Sequence, residues 1–320
     1  ALFRSEGSRF MIFFDEASRS PGRPNTGVTD IRMMRPIEAG SREHHRPDEV
    51  TYRPFVRVVA KHFTAFRWGH GGSSDISGRW EDRELPSDAF HARRRGGQGS
   101  IEHLIMLANE TGKDLYFSTP IAADDEYFRK LALLFRYGSD GREPYSKSTS
   151  QPTYPPLNPN LRVYVEVGNE IWNWAFESTV ASQRIVQAER DADSAVWAAI
   201  NFDGKAGNPR HAGAIRRWHA LRTVVCSDAF RAVFGDDRMG PRVRMLLEYQ
   251  YNNAQNTALL SLEFIDTYFG DWSGQYVQDT HPVSHYLWGA GGASYYGLAN
   301  KHGTQSEITL EDASFEESEV

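Results

Sequence analysis

Cysteine is all but missing from this chain: its 320 residues include one, Cys226. A single thiol excludes an internal disulfide and any cysteine-based zinc site. Its place in an apolar helical run predicts a buried, inert group. Long apolar runs are missing as well, so no membrane span is expected. Positive charge is not in excess, because 36 Lys and Arg stand against 42 Asp and Glu, a formal net charge of -6. Nucleic-acid proteins normally present a basic face, so that partner is not expected, and the basic cluster His91-Ala92-Arg93-Arg94-Arg95 reads as a solvated loop. Metal-ligand spacing is lacking too. His44, His45, His62 and His70 do not fall on one helical face and no HExxH occurs, which predicts no catalytic metal; no cofactor is expected either. Position 1 is Ala and no charged-then-apolar leader follows, so an export signal is expected to have been removed or never to have belonged to this segment. A secreted, periplasmic or cell-surface location is favoured.

What is present is an ordinary globular composition, 40% hydrophobic and 24% charged, with 12% aromatic residues including 8 Trp and 14 Tyr. Such aromatic content suits either a large core or a sugar-binding cleft. Residues 1–29 hold a strand-like run, Arg9 to Phe14, and turn chemistry, read as an opening strand and loop, the remnant of a preceding β module. From residue 30 to 320 the pattern alternates. Strands are predicted at Ile31–Arg35, Phe63–Trp68, Asp114–Ser118, Arg162–Gly168 and Val243–Tyr249, with a weaker one at Pro282–Trp288. Between them lie helices: Ser100 caps one with Ile101, Leu104, Ile105 and Ala108 on its buried face, and another buries Leu131, Leu134 and Phe135. The glycine runs at 69–72 and 289–292 read as flexible loops.

Strand, loop and helix in repetition predict an α/β fold with parallel strands. A doubly wound sheet would show the same alternation, but Arg35-Pro36-Ile37-Glu38-Ala39-Gly40 lacks any phosphate-cradling glycine pattern. Polar and aromatic residues gather instead at the carboxyl ends of strands: Arg67-Trp68, Asn169-Glu170, Tyr249-Gln250 and Tyr286. Barrel enzymes keep their functional residues there. The expected architecture is therefore a (β/α)8 TIM-type barrel, incomplete at its C-terminal end.

In VYVEVGNEIWNW, Val163, Val165 and Val167 alternate with Tyr164, Glu166 and Gly168, which turns the valines toward covering helices and the others inward. Glu170 follows just past the strand. Ringed by Trp172 and Trp174, it would have its pKa raised by partial desolvation and stay protonated near neutrality, as donation to a glycosidic oxygen requires. Asn169 can hydrogen-bond the sugar hydroxyl beside the reacting carbon. The plain alternative is an Asn-Glu pair that caps the next helix.

Strand, Gly-Asn-Glu and a following tryptophan resemble the acid/base signature of the retaining (β/α)8 glycoside hydrolases, a superfamily with many cellulases, mannanases and β-galactosidases. More closely, the run from IRMMRP through FRW, RWEDR, LANETGKDLYFSTP, DDEYFRKLALLFRYG and VYVEVGNEIWN resembles a group of cellulase-like bacterial proteins, over roughly residues 30 to 290. The resemblance implies hydrolysis of a β-linked polysaccharide or oligosaccharide by two carboxylates. Glu170 would be general acid/base at the end of strand four, aided by Asn169. Arg67 would match an arginine beneath the nucleophile, Tyr286 a sixth-strand tyrosine, and Trp68, Trp80, Trp172 and Trp288 would be sugar platforms. The superfamily's nucleophile ends strand seven, and the expectation is that the segment stops short of it. Glu248 is the in-chain candidate, with a buried structural glutamate as its alternative. The competing function is a non-catalytic carbohydrate-binding or scaffold barrel that lacks the nucleophile.

Overall fold

A computed structural model describes residues 5–6, 9–10, 42–44, 60–68, 78–88, 99–207 and 212–293. The chain divides into two compact units, residues 1–53 and 54–320. In the first, β1 (Ser5–Glu6) and β2 (Arg9–Phe10) pair as an antiparallel ribbon. The strand expected at Ile31–Arg35 lies outside the described residues.

The second unit runs β3 (Ala65–Trp68), α1 (Ile101–Thr111), β4 (Asp114–Thr119), α2 (Asp125–Tyr137), β5 (Val163–Val167), α3 (Glu177–Asp191), α4 (Ala195–Ile200), α5 (Ala212–Phe234) and β6 (Val243–Gln250). A helical stretch around α6 (Leu260–Phe264), α7 (Val283–Tyr286) and β7 (Gly289–Ala293) completes it. The five strands lie in chain order, β3-β4-β5-β6-β7, and every neighbouring pair is parallel. A doubly wound sheet reverses direction at a switch point. This one does not, and the fold is an α/β half-barrel with its helices outside.

Local chemistry explains the elements. Ser100 caps α1 by accepting from the His103 amide at 3.4 Å, and Gly112 closes it in the left-handed conformation at φ 66. Asp124 caps α2 by accepting from the Tyr127 amide at 2.7 Å, and Asp125 and Glu126 complement the dipole of the first turn. The inner stripe of α2, including Leu131, Leu134 and Phe135, is fully buried. Val163, Val165 and Val167 are equally sealed, as their alternation predicts. Side chains of this size contribute about 1.5–3 kcal/mol each on burial. Cys226 is buried in α5, and burial pushes its thiol pKa up, away from reactivity. No helix among the described residues is long and apolar enough to cross a membrane.

The last strand corrects the expectation. Pro282–Trp288 is not a strand: Pro282 opens the short helix α7, and the strand is the Gly289–Ala293 run expected to be a flexible loop. Hydrophobic alternation could not find it, because what shapes Gly-Ala-Gly-Gly-Ala is room for its neighbours. A Cβ on Gly291 would stand 3.2 Å from the Tyr116 hydroxyl, and one on Gly292 2.9 Å from that of Tyr249. Tyr116 belongs to β4, three strands away. In a flat sheet those strands would be about 14 Å apart at about 4.8 Å per strand. The near contact therefore measures how strongly the sheet curls.

His219 on α5 ties a helix to the sheet. Its Nε2 donates to the Val167 carbonyl at 2.8 Å from a fully buried position, and burial, with Arg216 adding to it, lowers its pKa to about 4. The unfolded side chain titrates near 6.5. Between those values the unfolded chain binds more protons, so stability is full above pH 6.5 and falls as pH drops toward 4. Two to three pKa units at about 1.4 kcal/mol each amount to about 3 kcal/mol. Urea unfolding across that range is expected to show this loss, and His219→Gln to flatten it; an unchanged slope in the variant would contradict the assignment.

Candidate active site

The inward rows of adjacent strands bring together side chains far apart in the chain. Register pairs Arg67 with Tyr116 and Tyr116 with Tyr164, and one inward row further on it pairs Ser118 with Glu166. Glu166 is fully buried at the centre of this face. A carboxylate in such a place must be hydrogen-bonded. Glu166 accepts from Arg67 Nη2 at 2.8 Å, and from the hydroxyls of Tyr116 and Ser118. Burial, and next the charge of Glu166, push the Tyr116 phenol far above its ordinary range, so it remains a donor.

Arg67 reaches further. The same Nη2 donates to Asn169 Oδ1 at 3.0 Å and lies 3.6 Å from Glu248 Oε1. Glu248, on β6, is 4% exposed. Burial and the neighbouring Glu166 raise its pKa well above the ordinary glutamate value, with Glu170 adding to the effect and Arg67 and the Glu170 amide opposing it.

Glu170 stands just beyond the carboxyl end of β5, and its backbone is strained. With φ 45 it is one of two non-glycine residues with positive φ among the described residues, the other being Asp193. Such a conformation costs about 1–3 kcal/mol and persists only where surroundings impose it. Here the Glu170 amide donates to Glu248 Oε2 at 2.6 Å, and its carbonyl accepts from the Asn173 amide at 2.8 Å. Its carboxyl accepts from Asn173 Nδ2 at 3.0 Å. Gly168, at φ 77, makes the turn possible: a Cβ there would lie 2.7 Å from Ile121 Cδ1. The capping alternative is not what the pair does. Helix α3 begins at Glu177 with Phe176 in the cap position and no side-chain cap.

The remaining candidates divide. Trp172 is 8% exposed beside the site, with the guanidinium carbon of Arg216 6.0 Å from its ring centre. Trp174 is largely exposed. Trp68 ends β3 opposite Phe117, and its side chain lies outside the described residues. Trp80 is corrected from platform to core: it is 2% exposed, packs edge-on against Tyr127, and donates to the Arg142 carbonyl at 3.3 Å. Tyr286 and Trp288 are corrected in position. They precede β7, toward the amino ends of the strands. Trp288 lies there against Tyr164 and Arg244, and Tyr286 against Phe269. Both line a separate cavity of about 490 Å³ with Arg231 and His285. Their carboxyl-end placement had rested on the strand that proved to be a helix.

Sequence reasoning passed over Glu166, Tyr116, Ser118 and Arg216 as site residues. Glu166 alone left a signal, an ionisable residue on the inward parity of a valine-rich strand. Among the described residues, no cluster of three or more His, Cys, Asp or Glu could hold a metal ion.

Removing the Glu166 carboxyl strands two hydroxyls and a guanidinium, so Glu166→Ala is expected to cost about 3 kcal/mol in chemical denaturation. Glu166→Gln should cost less and, by deleting a negative neighbour, bring the Glu248 titration down in carboxyl NMR. A Glu248 that titrates identically in that variant would refute the coupling.

No family model, curated protein or solved structure matches this chain.

Proposed function

We propose that this chain is the greater part of a retaining glycoside hydrolase for β-linked polysaccharides or oligosaccharides, built as a (β/α)8 barrel, with Glu170 as general acid/base. The observation that carries the reading is the strained Glu170, held by its own amide on the Glu248 carboxyl at the carboxyl end of β5. Stored strain of this kind marks sites whose geometry must be preset, and strand carboxyl ends are where barrel enzymes act.

In this scheme Glu170 protonates the glycosidic oxygen as the bond breaks, then takes a proton from the water that resolves the glycosyl intermediate. Asn169 is already oriented. Arg67 occupies its Oδ1, which leaves Nδ2 to donate to a sugar hydroxyl as positive charge develops at the reacting carbon. Trp172, buried, and Trp174, exposed, follow the acid closely in the chain. The retaining reaction also needs an ionised carboxylate about 5–5.5 Å from the acid. Glu248 is buried and accepts from the Glu170 amide, which suits it to positioning. Glu166 is spoken for by three donors. The scheme therefore assigns the attacking carboxylate to a residue outside those described.

On chromogenic aryl β-glycosides, Glu170→Gln is expected to lower kcat by about 10²–10⁴-fold, the usual size of a general-acid contribution. Oligosaccharide binding should survive. A parent chain that binds oligosaccharides without turnover, and a variant that binds equally well, would contradict catalysis and favour a binding barrel.

A further inference from the structure

Arg216 is a buried cation with no ion-pair partner among the described residues. It is 5% exposed, makes no side-chain hydrogen bond or ion pair among the described residues, and its Nε is sealed and unsatisfied. Trp172 is 8% exposed and its indole N–H is likewise buried without an acceptor. The guanidinium carbon lies 6.0 Å from the centre of that ring. Two unpartnered donors thus share one small region, two residues on from Glu170 and within the field of Glu248.

Arg67 is taken by Glu166, whereas Arg216 has no ion pair among the described residues and only the field of Glu248 to offset its burial. Burial lowers its pKa to about 10, which leaves it protonated at neutral pH. An isolated buried cation is strongly unfavourable, whereas one that meets an anion through charge-assisted hydrogen bonds is a recognition element. The Arg216 Nε–H and the Trp172 indole N–H are two donors without acceptors among the described residues, and a carboxylate offers two oxygens to such a pair.

We propose that Arg216 and Trp172 form a subsite for a carboxylate carried by the sugar, so that the substrate is a uronic acid-containing β-glycan. The inference rests on the hydrolase reading for the identity of the substrate, while the subsite itself rests on the unpartnered donors.

The test uses the full chain and titration calorimetry with three probes: methyl β-D-glucuronide, methyl β-D-glucoside and sodium acetate. The uronide is expected to bind at least about tenfold more tightly than the glucoside, the scale of one charge-assisted contact. Arg216→Met should erase the preference, Arg216→Lys should keep part of it, and Trp172→Phe, which keeps the ring and loses the N–H, should reduce it. Without ligand, Arg216→Met should unfold at the same or a higher temperature, because it removes an unpaired buried charge; a purely structural arginine would give the opposite. Equal binding of uronide and glucoside, a preference that survives Arg216→Met, or acetate binding with no uronide preference would each overturn the proposal. A uronide preference in a chain that turns over no aryl β-glycoside would uphold the subsite and sink the hydrolase reading, so the two failures are distinguishable.

Discussion

A carboxylate buried inside a curled sheet has to collect its hydrogen bonds from several strands at once, and Glu166 does so. Arg67 of β3 and Tyr116 and Ser118 of β4 all donate to it on β5. The same guanidinium then reaches Asn169 and approaches Glu248 on β6. Four adjacent strands are thereby fixed relative to one another by polar contacts on their inner face, while valines and α2 leucines seal the outer one. Mutual satisfaction is what makes such a buried network tolerable, since each unsatisfied member would cost about 1–3 kcal/mol.

From that centre the constraint passes to Glu170. Burial and Glu166 raise the Glu248 pKa, and its Oε2 accepts from the Glu170 amide. That bond sits where the chain must leave β5 through Gly168, and it offsets the strain of a left-handed glutamate. A buried acid thus performs backbone positioning, and a half-buried acid stands at the end of β5. The division of labour follows from environment alone: identical side chains, sealed beneath one another or standing at the rim.

Much of this was legible in the chain. Predicted strands at Phe63–Trp68, Asp114–Ser118, Arg162–Gly168 and Val243–Tyr249 lie within two residues of those observed at either end, because each is a short apolar and aromatic run. Glu170, Asn169 and Arg67 were found because they follow such strands. What escaped was set by contacts between distant segments. Gly289–Ala293 has no strand propensity, and at Gly291 and Gly292 the Tyr116 and Tyr249 hydroxyls occupy space that a side chain would need. Trp80 looked like a platform in a polar loop, yet Arg83 and Tyr127 enclose it. Arg216 lies on an amphipathic helix where nothing local distinguishes a buried arginine from a solvated one.

The central claim is that the Glu248 carboxyl holds the Glu170 backbone in place, and the Glu170 amide reports on it directly. In a ¹⁵N-labelled sample, that amide is expected to be protected from exchange, shifted downfield by its short bond, and to titrate with Glu248 well above the ordinary carboxylic range. An amide that exchanges freely, or that shows no titration in common with Glu248, would contradict the account.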